Sequence, residues 1–170
     1  MKKKSDEKLK IIPLGGLEQI GMNITAFECQ DSIVLVDCGL AFPEDDMLGV
    51  DLVIPDVTYL LENADKVKGL CITHGHEDHI GAIPYILKQI NMPIYATKLT
   101  NGLIENKLKE HGMLRTVKRK VVKYGQSINL GCFRIEFIKT NHSIQDAAAL
   151  ALFSPAGIVV HTGDFKVDYT

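Results

Sequence analysis

The sequence Thr-His-Gly-His-Glu-Asp-His occupies residues 73–79, directly after the apolar run Gly-Leu-Cys-Ile at residues 69–72. Three of the six histidines of the chain and two carboxylates fall within residues 74–79. Imidazole and carboxylate groups are the ligands that zinc and similar divalent ions prefer. A strand ending at residue 72 would bring this loop to the edge of a sheet, where several side chains can turn inward. The spacing therefore predicts a metal site rather than a solvated polar loop.

The positions within this stretch suggest two sites rather than one. His74 and His76 are two residues apart and can point to one side of an extended chain. Asp78 and His79 follow after the chain turns, so they can reach a second ion beside the first. Glu77 stands between these residues, and we expect it to be solvated or supporting rather than a ligand.

The H-x-H-x-D-H pattern of residues 74–79 resembles the signature of the metallo-β-lactamase superfamily of metal-dependent hydrolases. The resemblance implies that His74 and His76 bind one ion, whereas Asp78 and His79 bind the other. It implies further that a histidine just past a later strand completes the first site and that an aspartate after the next strand pair bridges both ions. The implied metal ligands are His74, His76, Asp78, His79, His142 and Asp164, and Asp78 and Asp164 are the implied catalytic residues.

Three other residues near strand or helix ends have alternative interpretations. Asp37 follows the apolar run at residues 33–36, and the resemblance implies that it orients a metal ligand without touching the ion. Capping of a loop by Asp37 is the alternative. His111 lies in the last turn of an expected helix, where an imidazole suits the helix dipole, so we assign it a structural role. His161 lies inside a strand, and we expect it to be packed or to support a ligand.

A narrower resemblance covers essentially the whole chain. Residues 14–17, 20–21, 42–56 and 74–79 together resemble the ribonuclease J family, the bacterial members of the β-CASP ribonucleases with a metallo-β-lactamase fold. One departure is Glu18-Gln19, where Gly-Glu is expected in many relatives. The resemblance is to the N-terminal portion of these enzymes. It implies that a further histidine ligand, the β-CASP domain and a C-terminal domain lie outside this chain.

The expected fold is an α/β arrangement, the incomplete first half of an αββα sandwich in which two sheets pack together with helices outside. We expect residues 1–9 to form a mobile tail and residues 10–170 to form the N-terminal part of a metallo-β-lactamase domain. The glycine-bearing loop at residues 15–21 lacks both phosphate-binding glycine patterns, so we expect it to form a wall of the active cleft. The expected strands are 10–14, 24–29, 32–38, 69–72, 93–96, 117–124, 127–130, 133–140, 147–153 and 157–161; the expected helices are 57–63, 83–90 and 99–111.

Composition limits the class of protein and its location. The 170 residues are 46% hydrophobic and 24% charged, with a net charge of −2, which is the profile of a globular domain and not of a basic nucleic-acid module. Basic residues at 118–123 could form an RNA-contacting edge, but a solvated strand face is the commoner case. The four cysteines lie far apart in apolar segments, which favours buried free thiols and a cytoplasmic location. No stretch is long enough to span a membrane.

The resemblance implies one function, and two other functions are the alternatives. The implied enzyme uses two divalent metal ions, zinc being expected and manganese the alternative, to hydrolyse RNA phosphodiesters as a 5′-3′ exonuclease and endonuclease in RNA maturation and decay. Its implied partner is RNA, and it is expected to assemble as a homodimer or homotetramer. A thioesterase or lactonase of the same fold would use the same ligands. A noncatalytic metal-stabilised module is less compatible, because structural zinc usually takes four closed ligands, often cysteines.

The isolated 170 residues are expected to be inactive and marginally folded. Without the second half of the sandwich, the faces of residues 33–36 and 157–160 would lose packing partners. Exposed apolar sheet surface favours association.

Overall fold

The computed structural model describes residues 7–167, and within them two β-sheets pack face to face. The expected tail at residues 1–9 lies largely outside this range. The first sheet has the order β1-β2-β3-β4-β5-β6, with antiparallel pairing from β1 to β3 and parallel pairing from β3 to β6. The second sheet is antiparallel and has the order β10-β9-β8-β7. The strands are β1 (Leu9–Gly15), β2 (Ile24–Cys29), β3 (Ser32–Val36), β4 (Val67–Cys71), β5 (Ile94–Ala96), β6 (Arg119–Val121), β7 (Ser127–Leu130), β8 (Phe133–Lys139), β9 (Ala148–Ser154) and β10 (Gly157–His161).

Helices cover the outer face of the first sheet. They are α1 (Thr58–Glu62), α2 (Glu77–Ile80), α3 (Ile83–Gln89) and α4 (Lys98–Glu110), with a 3-10 turn at Ala64–Lys66. Leu60, Ile86 and Ile104 from these helices form one apolar core with sheet residues such as Leu35 and Leu70. The described residues therefore form three layers, helix on sheet on sheet, which confirms the incomplete αββα sandwich.

The second core lies between the sheets. Val34 and Val36 of β3 point away from the helices and pack with alternate residues of β8, such as Phe133, Ile135 and Phe137. Between these three residues Arg134 is exposed and Glu136 is partly exposed, so β8 alternates as a strand with one solvated face should. Burial of such side chains is the main favourable contribution to folding, at about 25 cal/mol per Å² of apolar surface.

The expectation that β3 would lack packing partners is wrong, whereas the same expectation for β10 is confirmed. Ile33–Val36 are at most 1% exposed, because β3 lies inside the first sheet with helices on one face and the second sheet on the other. On β10, by contrast, Ile158 and Val160 are 63% and 58% exposed. The strand pairs only with β9 among the described residues, so it forms an edge whose apolar side chains are uncovered.

Element boundaries differ from the expected ones at informative places. The loop at residues 73–79, called the metal loop below, runs into the short helix α2, which the sequence did not predict. The helix expected at residues 83–90 is α3, in which Pro84 takes the second position because Ala82 is the N-cap residue. The strand expected at residues 117–124 shortens to β6, where Arg119 pairs with Glu105 at 2.8 Å and Lys120 lies over the ring of Tyr95. Part of the basic segment therefore makes contacts within the fold.

A buried carboxylate forms hydrogen bonds with side chains from three other elements of the fold. Glu28 of β2 is 5% exposed and accepts hydrogen bonds from Lys10 at 2.9 Å, from Lys66 at 3.3 Å and from the hydroxyl of Tyr59. Burial by itself would raise the pKa of Glu28, but these three donors outweigh burial and lower it to about 2. The folded protein thus stabilises the charged form of Glu28 more than the unfolded chain does.

This lowered pKa predicts acid sensitivity. Because the folded pKa is below the ordinary value of 4.5, the stabilisation is complete above pH 4.5 and is lost as the pH falls towards 2. Glu28→Gln should therefore lower the free energy of unfolding by about 2 kcal/mol at pH 7 and by progressively less below pH 4.5. Urea unfolding at several pH values measures the difference. Glu62→Gln, at an exposed position of α1, is the control; parallel pH curves for wild type and Glu28→Gln would contradict the prediction.

Candidate metal centre

The candidate centre lies where several strands end. β3 and β4 are parallel neighbours, with Val36 opposite Cys71, so their carboxyl ends meet at one edge of the first sheet. Asp37 follows β3, and Thr73 and His74 follow β4. The loop after β8 and the segment after β10 reach the same edge from the second sheet. The fold thus brings together residues from four chain segments that are far apart in sequence.

Three imidazoles converge on one point. His74 Nε2 lies 3.0 Å from His76 Nδ1, which in turn lies 3.2 Å from His142 Nε2. Tetrahedral ligands bound to zinc at about 2.0–2.1 Å lie about 3.3–3.4 Å from one another. A shared proton could join one pair of rings, but three ring nitrogens facing one another match the donor set of a metal site. His74, His76 and His142 therefore fit a divalent ion.

Burial keeps His74 and His142 available as ligands. Burial lowers the pKa of His74 to about 4, with a further contribution from the nearby His79. Burial also lowers the pKa of His142, against the opposing charge of Asp164. A neutral imidazole offers a lone pair to a metal, whereas a protonated one does not.

A second group adjoins the first and contains carboxylates. His79 Nε2 lies 3.5 Å from Asp164 Oδ1 and 3.5 Å from Asp78 Oδ2. The other oxygen of Asp164, Oδ2, lies 3.6 Å from His142 Nε2, so this carboxylate faces both groups. Ligand atoms of His74, His79 and Asp164 lie within 4.8 Å of one another, which places His74 between the two groups. Asp78 stands at the edge of the second group, beside His79.

Asp37 anchors the ligands without facing the centre. It is 1% exposed and has a left-handed backbone, with a φ of 62°. Its carboxylate accepts hydrogen bonds from the Thr73 backbone N–H at 2.8 Å, from the Thr73 hydroxyl and from His79 Nδ1 at 2.8 Å. Burial by itself would raise the pKa of Asp37, but the hydrogen bond and charge of His79 outweigh it and lower the pKa. The contact with Nδ1 leaves Nε2 of His79 directed at the centre, as an orienting role for Asp37 requires.

Two residues that support the centre were missed by sequence reasoning. The Thr73 hydroxyl donates to Asp37 and lies 3.0 Å from His74 Nδ1, so its oxygen can accept a hydrogen bond from the Nδ1–H of His74 and leave Nε2 free. Asn23, which precedes β2, contacts both Asp78 and His79 through its side-chain amide. Thr73 could have been suspected because it immediately precedes the first ligand. Nothing local in the sequence indicates Asn23, which is 55 residues from Asp78.

The remaining candidate residues have other contacts. Glu77 pairs with Lys107 of α4 at 2.8 Å and belongs to neither ligand group. His111 packs against the ring of Tyr85. His161 lies edge-on to the ring of Phe27, and its Nδ1 accepts the Gly163 backbone N–H at 3.2 Å.

Two cavities flank the centre. One, of about 200 Å³, is bordered by Gly15, Gly16 and Leu17 of the glycine-bearing loop together with His79 and Asp164. The predicted wall of the cleft is therefore in place. The other, of about 400 Å³, lies beside His142 and is lined by polar groups that include Tyr124, Lys139 and Asn141.

Helix length has a bearing on membrane association. Among the helices of residues 7–167, none combines the length and the apolar character needed to cross a bilayer.

Comparison with known proteins identifies close relatives over nearly the whole chain. Ribonuclease J of Synechocystis is 52% identical over 166 residues, which are 96% of this chain and 26% of the relative. Ribonuclease J 1 of Streptococcus pyogenes is 47% identical over 160 residues, which are 94% of this chain and 29% of the relative. The chain thus spans between a quarter and a third of the length of these curated relatives, as expected for an N-terminal portion.

Solved structures share the fold at low sequence identity. A protein of unknown function from Enterococcus faecalis superposes with a TM-score of 0.74 and 18% identity, over 94% of this chain and 44% of that protein. The metallo-beta-lactamase fold protein YhfI of Bacillus subtilis gives a TM-score of 0.61 and 20% identity, over 95% of this chain and 64% of that protein. The family model of the metallo-beta-lactamase superfamily matches residues 23–167, which include every predicted ligand. The chain belongs to the metallo-β-lactamase superfamily.

Proposed function

We propose that the protein is a two-metal ribonuclease that hydrolyses RNA phosphodiesters, acting both as a 5′-3′ exonuclease and as an endonuclease. The observation that carries the proposal is the pair of adjoining ligand groups with the Asp164 carboxylate facing both. Nitrogen and oxygen donors in this number are typical of a dinuclear hydrolase, whereas a structural zinc site is closed by four ligands. The relatives that share about half of their matched residues with this chain are called ribonucleases, which supports RNA as the substrate.

The residues of the candidate metal centre have separate roles in this proposal. His74, His76 and His142 would hold one ion, and Asp78, His79 and Asp164 would contact the other, with zinc as the expected metal and manganese as the alternative. When bound, the ions supply neutralisation of charge at phosphorus and acidification of water. Asp78 and Asp164 orient the attacking water by accepting its hydrogen bonds. Asp37 and Thr73 keep the ring nitrogens Nε2 of His79 and His74 directed inward.

Burial of the ligand network favours a preorganised site. Asp37, Thr73, His74 and His79 are each at most 2% exposed, so water does not compete for their hydrogen bonds. Such a network can hold the ligands in place before the substrate arrives. Asp78 and Asp164, by contrast, have side chains that are 37% and 46% exposed, and they face the side from which a substrate would approach.

The test uses the full-length protein and RNA labelled at its 5′ end. Metal analysis should find two ions per chain, and chelation should abolish cleavage that Zn²⁺ or Mn²⁺ restores. Release of labelled mononucleotide indicates the exonuclease mode, and longer labelled fragments indicate internal cleavage. Hydrolysis of a thioester or lactone without cleavage of RNA would replace this proposal by its small-molecule rival. Assembly as a homodimer or homotetramer and a cytoplasmic location are part of the same proposal.

A further inference from the structure

We propose that Asn23 is a positioning residue that holds Asp78 in place for the second metal ion. The inference deepens the proposed function and rests on its assignment of ligands to the two ions. Asn23 lies one residue before β2, on the strand side of the centre and outside the loop that supplies most of the ligands.

The Asn23 amide nitrogen lies close to three polar atoms. Its Nδ2 lies 3.1 Å from the Asp78 backbone oxygen, 3.2 Å from Asp78 Oδ2 and 3.2 Å from His79 Nε2. The Asn23 backbone N–H also donates to the Asp78 backbone oxygen at 3.1 Å. A single residue therefore holds the backbone and the carboxylate of Asp78 together.

The orientation of this amide follows from its neighbours. An asparagine carries two donors on its nitrogen and only lone pairs on its oxygen. The opposite orientation would place the Asn23 oxygen against two oxygens of Asp78, which repel it. His79 is held by Asp37 through Nδ1, which leaves Nε2 for the metal ion, so the contacts with Asp78 are the ones that fix the role of Asn23. Both contacts between Nδ2 and Asp78 thus require a donor from Asn23.

The contacts explain why only the second ion should depend on Asn23. Among residues 7–167, the amide of Asn23 provides the only side-chain hydrogen bond to the Asp78 carboxylate, whose side chain is 37% exposed. Asn23 makes no hydrogen bond to His76 or His142 within the same range, and these residues belong to the first group. A ligand that must be immobilised on binding costs conformational entropy, which an existing hydrogen bond reduces.

The glycine-bearing loop confines Asn23 from the other side. A Cβ atom at Gly16 would lie 2.7 Å from Asn23 Oδ1 and 3.2 Å from its Cα, and Gly16 has a φ of +84°. The loop therefore packs directly on the Asn23 amide and restricts its rotation. This contact connects Gly16 to the candidate metal centre through Asn23.

The experiment compares the affinities of the two ions in the full-length protein. Zn²⁺ is titrated into metal-free wild type, Asn23→Ala and Asn23→Leu in the presence of a chromophoric chelator of known affinity. Leucine keeps the approximate shape of asparagine without its donors, so it separates the hydrogen bonds from packing. Both variants should bind the second ion about 10- to 100-fold more weakly, as is usual for residues that orient ligands, while the first ion is bound as in wild type. Asn129→Ala, on the exposed face of β7, is the control.

The outcomes distinguish this inference from its alternatives. Equal weakening of both ions together with a lower melting temperature would show a merely structural role and overturn the proposal, as would restored affinity in Asn23→Leu or a wild type that binds one ion. RNA cleavage is measured on the same preparations. If wild type binds two ions but does not cleave RNA, the ribonuclease proposal fails, and the ratio of the two affinities still decides the role of Asn23.

Discussion

Asp164→Ala and Asp78→Ala should each reduce the single-turnover rate of RNA cleavage by a factor on the order of 10³. Asp164 faces both ligand groups, with its oxygens 3.5 Å from His79 and 3.6 Å from His142, so its loss removes a contact to each. RNA phosphates are repelled by carboxylates, so these residues can assist only by holding the ions and orienting water. Affinity for RNA should therefore fall far less than the rate, because basic groups supply most backbone contacts. Single-turnover cleavage and equilibrium binding at one salt concentration measure the two effects.

Glu77→Gln is the matched control for these substitutions. Glu77 is a carboxylate between the ligands in sequence, but it pairs with Lys107 outside both ligand groups. An exposed ion pair of this kind contributes about 0–1 kcal/mol, so cleavage should be nearly unchanged. Near wild-type cleavage by both aspartate variants would show that the two-metal mechanism is wrong. If those variants instead kept hydrolysis of a small thioester, the small-molecule rival would be favoured.

Gly39→Ala should destabilise the protein by about 3 kcal/mol and reduce metal binding with it. A Cβ atom at Gly39 would lie 1.6 Å from the Asp78 backbone oxygen and 2.2 Å from its carbonyl carbon. These are backbone atoms, so no side-chain rotation relieves the overlap. The Gly39 N–H also donates to the Asn23 backbone oxygen at 3.0 Å, which joins the same segment to the positioning residue. Thermal unfolding and metal analysis of purified protein measure both losses.

Gly102→Ala provides the contrasting control. Gly102 lies exposed within α4, and a Cβ atom there would meet nothing within 4 Å. Alanine is favoured over glycine in a helix by about 0.5–1 kcal/mol, so this variant should be slightly more stable and bind metal normally. Equal behaviour of the two variants would show that the close approach at Gly39 has no structural importance.

Local pattern was enough to predict much of the fold. The strands expected at residues 24–29, 32–38 and 133–140 and the helix expected at residues 99–111 correspond to β2, β3, β8 and α4, and each depends on residues near one another in sequence. The packing of β3 was predicted wrongly, because a strand's neighbours across a sheet and between layers are long-range contacts. Helix α2 was not predicted because it has only four residues. Three of them also belong to the loop at residues 73–79, where the sequence pattern follows the spacing of the metal ligands.

For the site, the sequence alone determined the residue types and the spacing of residues 74–79, from which a metal site follows by ligand chemistry. Resemblance added His142 and Asp164, but only the tertiary structure decided that they meet the histidines of the metal loop. His142 and His76 are 66 residues apart and their ring nitrogens lie 3.2 Å apart, because β4 and β8 end at the same edge of two packed sheets. The tertiary structure also decided the roles of Asn23 and Thr73. A hydrogen bond depends on distance and direction in space, which spacing along the chain does not specify.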